Sequence, residues 1–247
     1  MIFLVGIDDT DTLETRGTGF HARQMAAEIE AAGVGRTLGI TRHQNFVHPE
    51  IKYTSHNSSA CLRIESEDEI KLKELCRDFL LRIAPEGSDV GLCVVPEKQV
   101  SDQVINWGLD AKRLILFQED ALKLAFEEQI YLEGLTGTHL GVIGALAAVG
   151  LRKSGNDGRF IWLKGKKELR EIISGVYSVN ELKEEVGIEQ IVDKEGKLCE
   201  ENEPVHVHDW FRPVMKDNKV TLIVEKQADN GQHFWQIADR DYVRARY

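Results

Sequence analysis

The chain opens on Ile2-Phe3-Leu4-Val5-Gly6-Ile7, a run without a polar residue, and passes directly into Asp8-Asp9-Thr10-Asp11-Thr12. Lacking polar alternation, residues 2–7 predict a strand covered on both faces, ending at an acidic turn. Three carboxylates within four positions at the end of a buried strand repel one another unless a cation or strong donors answer the charge. Magnesium suits such a turn, because it takes carboxylate oxygens together with water and substrate phosphates. Asp8, Asp9 and Asp11 are therefore the candidate metal ligands and catalytic residues, and Thr10 and Thr12 the candidate hydroxyl contacts to a nucleotide. The competing reading is an Asp-rich turn that spends its side chains on Asx turns and on capping the next helix.

Helical spacing follows over Phe20–Ala32, ending at Gly33, and strands are expected over Arg36–Thr41 and Ala60–Ile64. Between these strands, His43–Ser59 is polar and long for an inert connection. Within it, His56 and Asn57 carry groups that can orient a polar substrate or phosphate, although ordinary turn chemistry explains such loops too. His43 and His48 flank the region as candidate acids or bases. A strand, a helix over Asp68–Ile83, a turn and the strand ending at Val95 form a βαβ-like stretch, expected as a small ferredoxin-like subdomain at 60–95. Helices are expected over Ser101–Leu109 and Gln118–Tyr131.

A second candidate lies at Gly134-Leu-Thr-Gly137-Thr138-His-Leu-Gly141-Val-Ile-Gly144, which opens an Ala-rich helix. Glycines there let an anion reach backbone N–H groups at a helix start, making Gly137, Thr138, Gly141 and Gly144 candidate nucleotide contacts. The spacing matches neither the dinucleotide fingerprint nor the P-loop, and close packing of Gly141 and Gly144 on a strand explains them equally well.

Beyond a strand at Phe160–Leu163 the pattern changes, with a helix over Val176–Val186 and short strands at Gln190–Asp193, Val205–His208, Val220–Glu225 and His233–Ile237. Asp229-Asn230-Gly231 is expected to close a hairpin. His206 and His208 share a strand face, but two imidazoles without further ligands do not make a zinc site. Trp210, Phe211, Phe234 and Trp235 are expected to form a small core. Cys61, Cys76, Cys93 and Cys199 are too widely spaced for a zinc knuckle or a dense disulfide framework, so reduced, buried thiols are expected.

A net charge of -10 argues against broad adhesion to nucleic acid or anionic membranes. The apolar start is too short for a membrane span and lacks a basic leader, so a cytoplasmic protein without a membrane partner is expected.

The segments GIDDTDT, PEIKYTSHNSSACLRI, PEGSDVGLCVV and GLTGTHLGVIGALAAVGL occur in the order seen in the archaeal tRNA(isoleucine) agmatidine synthetases. The resemblance covers Met1 to Leu163. It implies an α/β (α+β) chain with a kinase-like catalytic domain at 1–59 and 96–165 and the ferredoxin-like insert at 60–95; the strand pattern beyond it adds a small β-rich domain at 166–247. It further implies Mg and ATP as cofactors held by Asp8, Asp9 and Asp11, with Asn57 and its loop lining the substrate cleft and the Gly137–Gly144 turn completing an anion site. In that family ATP phosphorylates a cytidine carbonyl oxygen of tRNA and agmatine displaces the phosphate. Here the last third has no zinc-ribbon cysteines and the balance is acidic. The expected function is thus ATP-dependent phosphoryl transfer to a small-molecule or nucleoside-type acceptor, with tRNA modification as one alternative. A nucleotide- or metabolite-binding sensor is another, and a haloacid-dehalogenase-like phosphatase a third, although Leu13 leaves its DxDxT incomplete. A homodimer is compatible with all of them.

Overall fold

Strand β1 (Ile2–Asp8) lies at the centre of the first of two units, Met1–Ser154 and Gly155–Tyr247. The computed structural model describes residues 1–247 apart from Ser55, Asn230 and Gly231. β1 is flanked by β3 (Ser58–Glu65) and β4 (Gly91–Pro96), both antiparallel to it. β2 (Arg36–Gln44) lies outside β3, and β5 (Tyr131–Gly134) outside β4. The helices of this unit are α1 (Thr18–Ala31), α2 (Glu69–Ile83), α3 (Asp102–Asp110), α4 (Gln118–Glu127) and α5 (Val142–Ser154).

Both faces of the sheet are covered, which is why residues 2–7 carry no alternation. On one face Leu4, Cys61, Cys93 and Val95 share a core with the apolar residues of α3, α4 and the Ala-rich α5. Alternation turns Phe3, Val5 and Ile7 to the other face, where α1 packs on β2, β3 and α2. A Cβ on Gly6 would overlap the carbonyl oxygen of Ala145, so α5 rests directly on the β1 backbone. That close approach brings the first turn of α5 to the carboxyl end of β1.

From β1 to β4 the elements run β-α-β-β-α-β with strand order β4-β1-β3-β2, the split βαβ arrangement. It occupies Ile2–Pro96, whereas the sequence reading confined a ferredoxin-like subdomain to 60–95. The reason is pairing: β3 and β4 do not touch each other but sandwich β1, so the stretch 60–95 has no sheet of its own. β5, which begins at the last residue of the expected helix Gln118–Tyr131, pairs with β4 and has no counterpart in the sequence reading.

In the second unit, β6 (Arg159–Leu163), β10 (Val214–Lys216), β11 (Lys219–Asp229), β12 (Gln232–Ile237), β9 (Pro204–Val207) and β7 (Gly175–Ser178) follow one another in the sheet. β8 (Gln190–Asp193) pairs in parallel with β11. Phe160 and Leu163 of β6 pack with Leu182, Val205, Phe211 and Leu222, which moves the unit boundary upstream of the expected 165/166. The helix read from Val176 splits into β7 and α6 (Val179–Val186), because Ser178 and Glu181 form a capping box that starts the helix there. α7 (Arg240–Arg244) ends the chain. Of the expected aromatic core, Phe211 is buried, Trp210 and Trp235 pack against buried clusters, and Phe234 lies on His206 at 4.2 Å between ring centroids. β11 and β12 pair antiparallel, but the turn at Asn230-Gly231 lies outside the described residues. Among the described residues no helix is long and apolar enough to cross a membrane.

Candidate functional site

At the end of β1 the chain turns sharply through Asp9, whose φ of 55° lies in the left-handed region that Asp and Asn tolerate better than most side chains. The turn separates the roles of its three aspartates. Asp11 faces the start of α1: its Oδ1 accepts from the Thr18 amide at 3.2 Å and the Thr18 hydroxyl at 3.0 Å, and its Oδ2 from the Thr54 hydroxyl at 2.9 Å. It supplies the helix with the cap that Gly17 cannot give. Thr10, expected to touch a ligand, instead points into the core, its hydroxyl 3.2 Å from that of Thr18 and 3.0 Å from His21 Nδ1. Its role is to fasten the turn to α1.

Asp8 packs against the first turn of α5, and a Cβ on Gly144 would overlap its carboxylate. Burial, reinforced by the charges of Asp9 and Asp11, pushes the Asp8 carboxyl well above the usual carboxylate range, against a hydrogen bond from the Asp9 amide. Asp9 is pushed up to about 6, chiefly by burial and then by Asp89 and Asp11, with Lys52 opposing. The two carboxylates are thus incompletely compensated by the protein.

Asp8, Asp9 and Asp11 border a cleft of about 160 Å³. Its lining also includes Lys52, Tyr53, Thr54, His56 and Asn57 from the long polar loop, and the apolar residues Ala111, Leu114, Ile115, Leu116 and Ile143. His56 and Asn57 therefore do share a cleft with the acidic turn. The Asn57 side chain is already engaged, Nδ2 donating to the Phe46 carbonyl at 2.6 Å, while its own carbonyl accepts from the Asn45 amide at 2.9 Å. Asn57 braces the 45–46 segment. Thr12 lines a second cleft, which shares Asp9, Asp11, Lys52, Tyr53 and Thr54 with the first and adds Glu86 and Asp89.

The glycine loop divides likewise. Gly144 alone of Gly137, Thr138, Gly141 and Gly144 borders the main cleft. Gly137, at φ 59°, lies where a Cβ would strike the Asp89 carboxylate, and the amide and hydroxyl of Thr138 both donate to Asp89 Oδ1, the hydroxyl at 2.8 Å. Lys52 Nζ meets Asp89 Oδ2 at 2.9 Å. Burial works to raise the Asp89 pKa, but the hydrogen bonds from Lys52 and Thr138 overcome it and hold the carboxyl below its ordinary value. Gly141 donates its amide to the Asp89 carbonyl at 2.9 Å, so the loop's first half is fastened by a protein anion where a ligand anion was expected. By sequence Asp89 lies in the turn before β4 and Lys52 in the long polar loop, and neither stands out as a site residue. The only sequence signal was the unusual length of the polar stretch carrying Lys52.

Other candidates lie elsewhere. His43 is buried with Nε2 2.8 Å from the Thr41 hydroxyl, and His48 stacks on Phe46; neither borders the cleft. All four cysteines are free, and burial pushes the thiols of Cys61 and Cys76 up to about 12. Among the described residues no three His, Cys, Asp or Glu side chains converge as a metal cage.

The mixed α+β fold of the chain is also similar to part of solved enzymes that act on tRNA. The chain is 27% identical to a tRNA fluorescent labeling enzyme, with a TM-score of 0.55 over 61% of this chain and 36% of that one. The TiaS–tRNA(Ile2)–ATP complex of tRNA(Ile2) agmatidine synthetase gives 26% identity and a TM-score of 0.55, over 61% of this chain and 36% of that one. The complex with tRNA(Ile2), AMPCPP and agmatine gives 25% and 0.54 over the same shares. This chain thus contains a core similar to part of that synthetase. In sequence it is also 28% identical over 149 residues to an uncharacterized protein of Methanocaldococcus jannaschii, 60% of this chain and 49% of that protein. The chain spans about half the length of that relative and about a third of the solved chains. No protein-family profile matches it.

Proposed function

We propose that the cleft of the first unit binds Mg-ATP and that the chain is a kinase-like enzyme, transferring a phosphoryl group to an oxygen of a small-molecule or nucleoside-type acceptor. The observation that carries this reading is the pair Asp8 and Asp9, crowded and partly buried at the edge of a cleft, beside the first turn of α5. Burying two adjacent carboxylates is costly without a cation, and the ATP complexes of similar solved structures give that cation a polyphosphate to bridge.

Asp8 and Asp9 would hold magnesium, which when bound neutralises charge on the β- and γ-phosphates. This narrows the expected three-aspartate set to two, with Asp11 a positioning residue whose bonds to Thr18 and Thr54 fix the turn. Lys52, held by Asp89, brings a positive charge to the same rim and orients an incoming phosphate. Thr138 and Gly137 act through Asp89, while Gly144 leaves room for the Asp8 carboxylate.

The test is calorimetric titration of ATP with and without magnesium, alongside phosphate transfer from γ-labelled ATP to a panel of nucleosides and amines. Magnesium-dependent binding that Asp8→Asn and Asp9→Asn each abolish supports the reading; equal binding by both variants overturns it. A second reading, tRNA as the acceptor, is favoured by the tRNA complexes of the similar structures. Label that enters an added tRNA pool and none of the small acceptors selects it. Binding without any release or transfer of phosphate would instead identify a sensor.

A further inference from the structure

We infer that His21 is a positioning residue of the candidate site: as the Nδ1–H tautomer it starts a one-way chain of hydrogen bonds that runs through Thr10 and Thr18 and ends on Asp11. The functional part of this inference rests on the Mg-ATP reading above, whereas the tautomer stands on the geometry alone.

Thr18 and His21 are three residues apart, so α1 presents both from one face toward the turn that follows β1. Both are buried, and the wholly covered Thr10 hydroxyl meets them together, 3.2 Å from Thr18 Oγ1 and 3.0 Å from His21 Nδ1. Thr18 Oγ1 lies in turn 3.0 Å from Asp11 Oδ1. Four side chains are thereby joined in one line.

Counting hydrogens gives the line its direction. The Asp11 carboxylate only accepts, so the Thr18 hydroxyl spends its single hydrogen there. Thr18 Oγ1 then accepts from Thr10, whose single hydrogen is spent in its turn. His21 Nδ1 is left to donate to the Thr10 oxygen. With a bare Nδ1, one of these contacts has no hydrogen and sets lone pair against lone pair in a buried place. Burial holds the His21 pKa below its ordinary value, so at pH 7.5 one ring nitrogen carries hydrogen, and the line selects Nδ1. Each bond polarises the next, and the donor at His21 strengthens the hold on Asp11. Asp11 in turn fixes the turn that carries Asp8 and Asp9 to the cleft.

Two-bond nitrogen–proton correlation spectra of the isotope-labelled full-length chain at pH 7.5 read the tautomer, the His21 signals being assigned by their absence from His21→Asn. A protonated Nδ1 and a bare Nε2 are expected; a bare Nδ1 overturns the inference even where Mg-ATP binds. Calorimetric titration with Mg-ATP tests the functional part. His21→Leu removes the donor and is expected to weaken Mg-ATP about three- to tenfold, the measure of one lost hydrogen bond. His21→Asn restores an N–H donor near the Nδ1 position and is expected to bind within about twofold of the wild type. A residue that only filled space would show the reverse order, since Leu is the larger and less polar replacement. In a Thr10→Val background, where the line is already cut, His21→Leu is expected to change nothing further. Equal affinity in all variants, or Asn as weak as Leu, overturns the positioning role. Failure of the wild type to bind Mg-ATP overturns that role together with the nucleotide reading, and the spectra alone then judge the tautomer.

Discussion

Replacing Asp9 by Asn should stabilise the free protein while abolishing its response to Mg-ATP. In the fold Asp9 titrates at about 6 against an ordinary value of 3.8. The folded state therefore holds the proton more tightly than the unfolded one. Its penalty is absent below the unfolded pKa, grows as pH rises between the two values and is fully present above the folded one. At about 1.36 kcal/mol per pKa unit the roughly two-unit rise corresponds to about 3 kcal/mol above pH 6. Partial exposure of Asp9 and its coupling to Asp8 reduce this to about 1–2 kcal/mol. Asn keeps the shape, tolerates the left-handed φ and carries no charge. At pH 7.5 the variant should melt higher by roughly 2–6 °C, and at pH 5, where wild-type Asp9 is mostly protonated, the gap should shrink by about half. Saturating Mg-ATP should raise the wild-type melting temperature and leave the variant's unchanged. Thermal unfolding followed by circular dichroism at the two pH values measures all of this. A variant that melts below the wild type at pH 7.5, or a gap that does not depend on pH, refutes the electrostatic argument.

Three other outcomes follow from the same geometry. Asp89→Ala strips the Thr138 amide and hydroxyl of their acceptor and frees Lys52, so urea unfolding should show a loss of about 1–3 kcal/mol. Gly144→Ala drives a methyl group into the Asp8 carboxylate, which should cost about 1–3 kcal/mol in the same assay and eliminate calorimetric binding of Mg-ATP; unchanged binding would show that the contact is dispensable. Thr54→Val removes the hydrogen bond to Asp11 Oδ2 but no cleft-bordering carboxylate, and should weaken Mg-ATP several-fold without abolishing it.

Much of this molecule is legible locally. The unbroken apolar run 2–7 announces a strand covered on both faces, and Ser101 and Asp68 mark helix starts that the structure caps with those same side chains. The acidic turn is visible as a concentration of like charge. What spacing could not show is how the turn divides its labour, because Asp8, Asp9 and Asp11 differ only in what is packed against them. Gly144 lies against one, Lys52 and Asp89 act on the second, and Thr18 and Thr54 bind the third. Thr10 looked like a ligand contact for the same reason and turned out to fasten the turn to α1.

The amino-acid order alone determined most of the succession of elements, the unpaired and mostly buried thiols, and the place along the chain where charge would collect, since propensity, burial pattern and local repulsion act over a few residues. The tertiary structure alone decided that β1 runs between β3 and β4 and that Asp89 closes the glycine loop. Each of those joins residues tens of positions apart, and such contacts depend on sheet order and helix docking, which short-range chemistry does not specify.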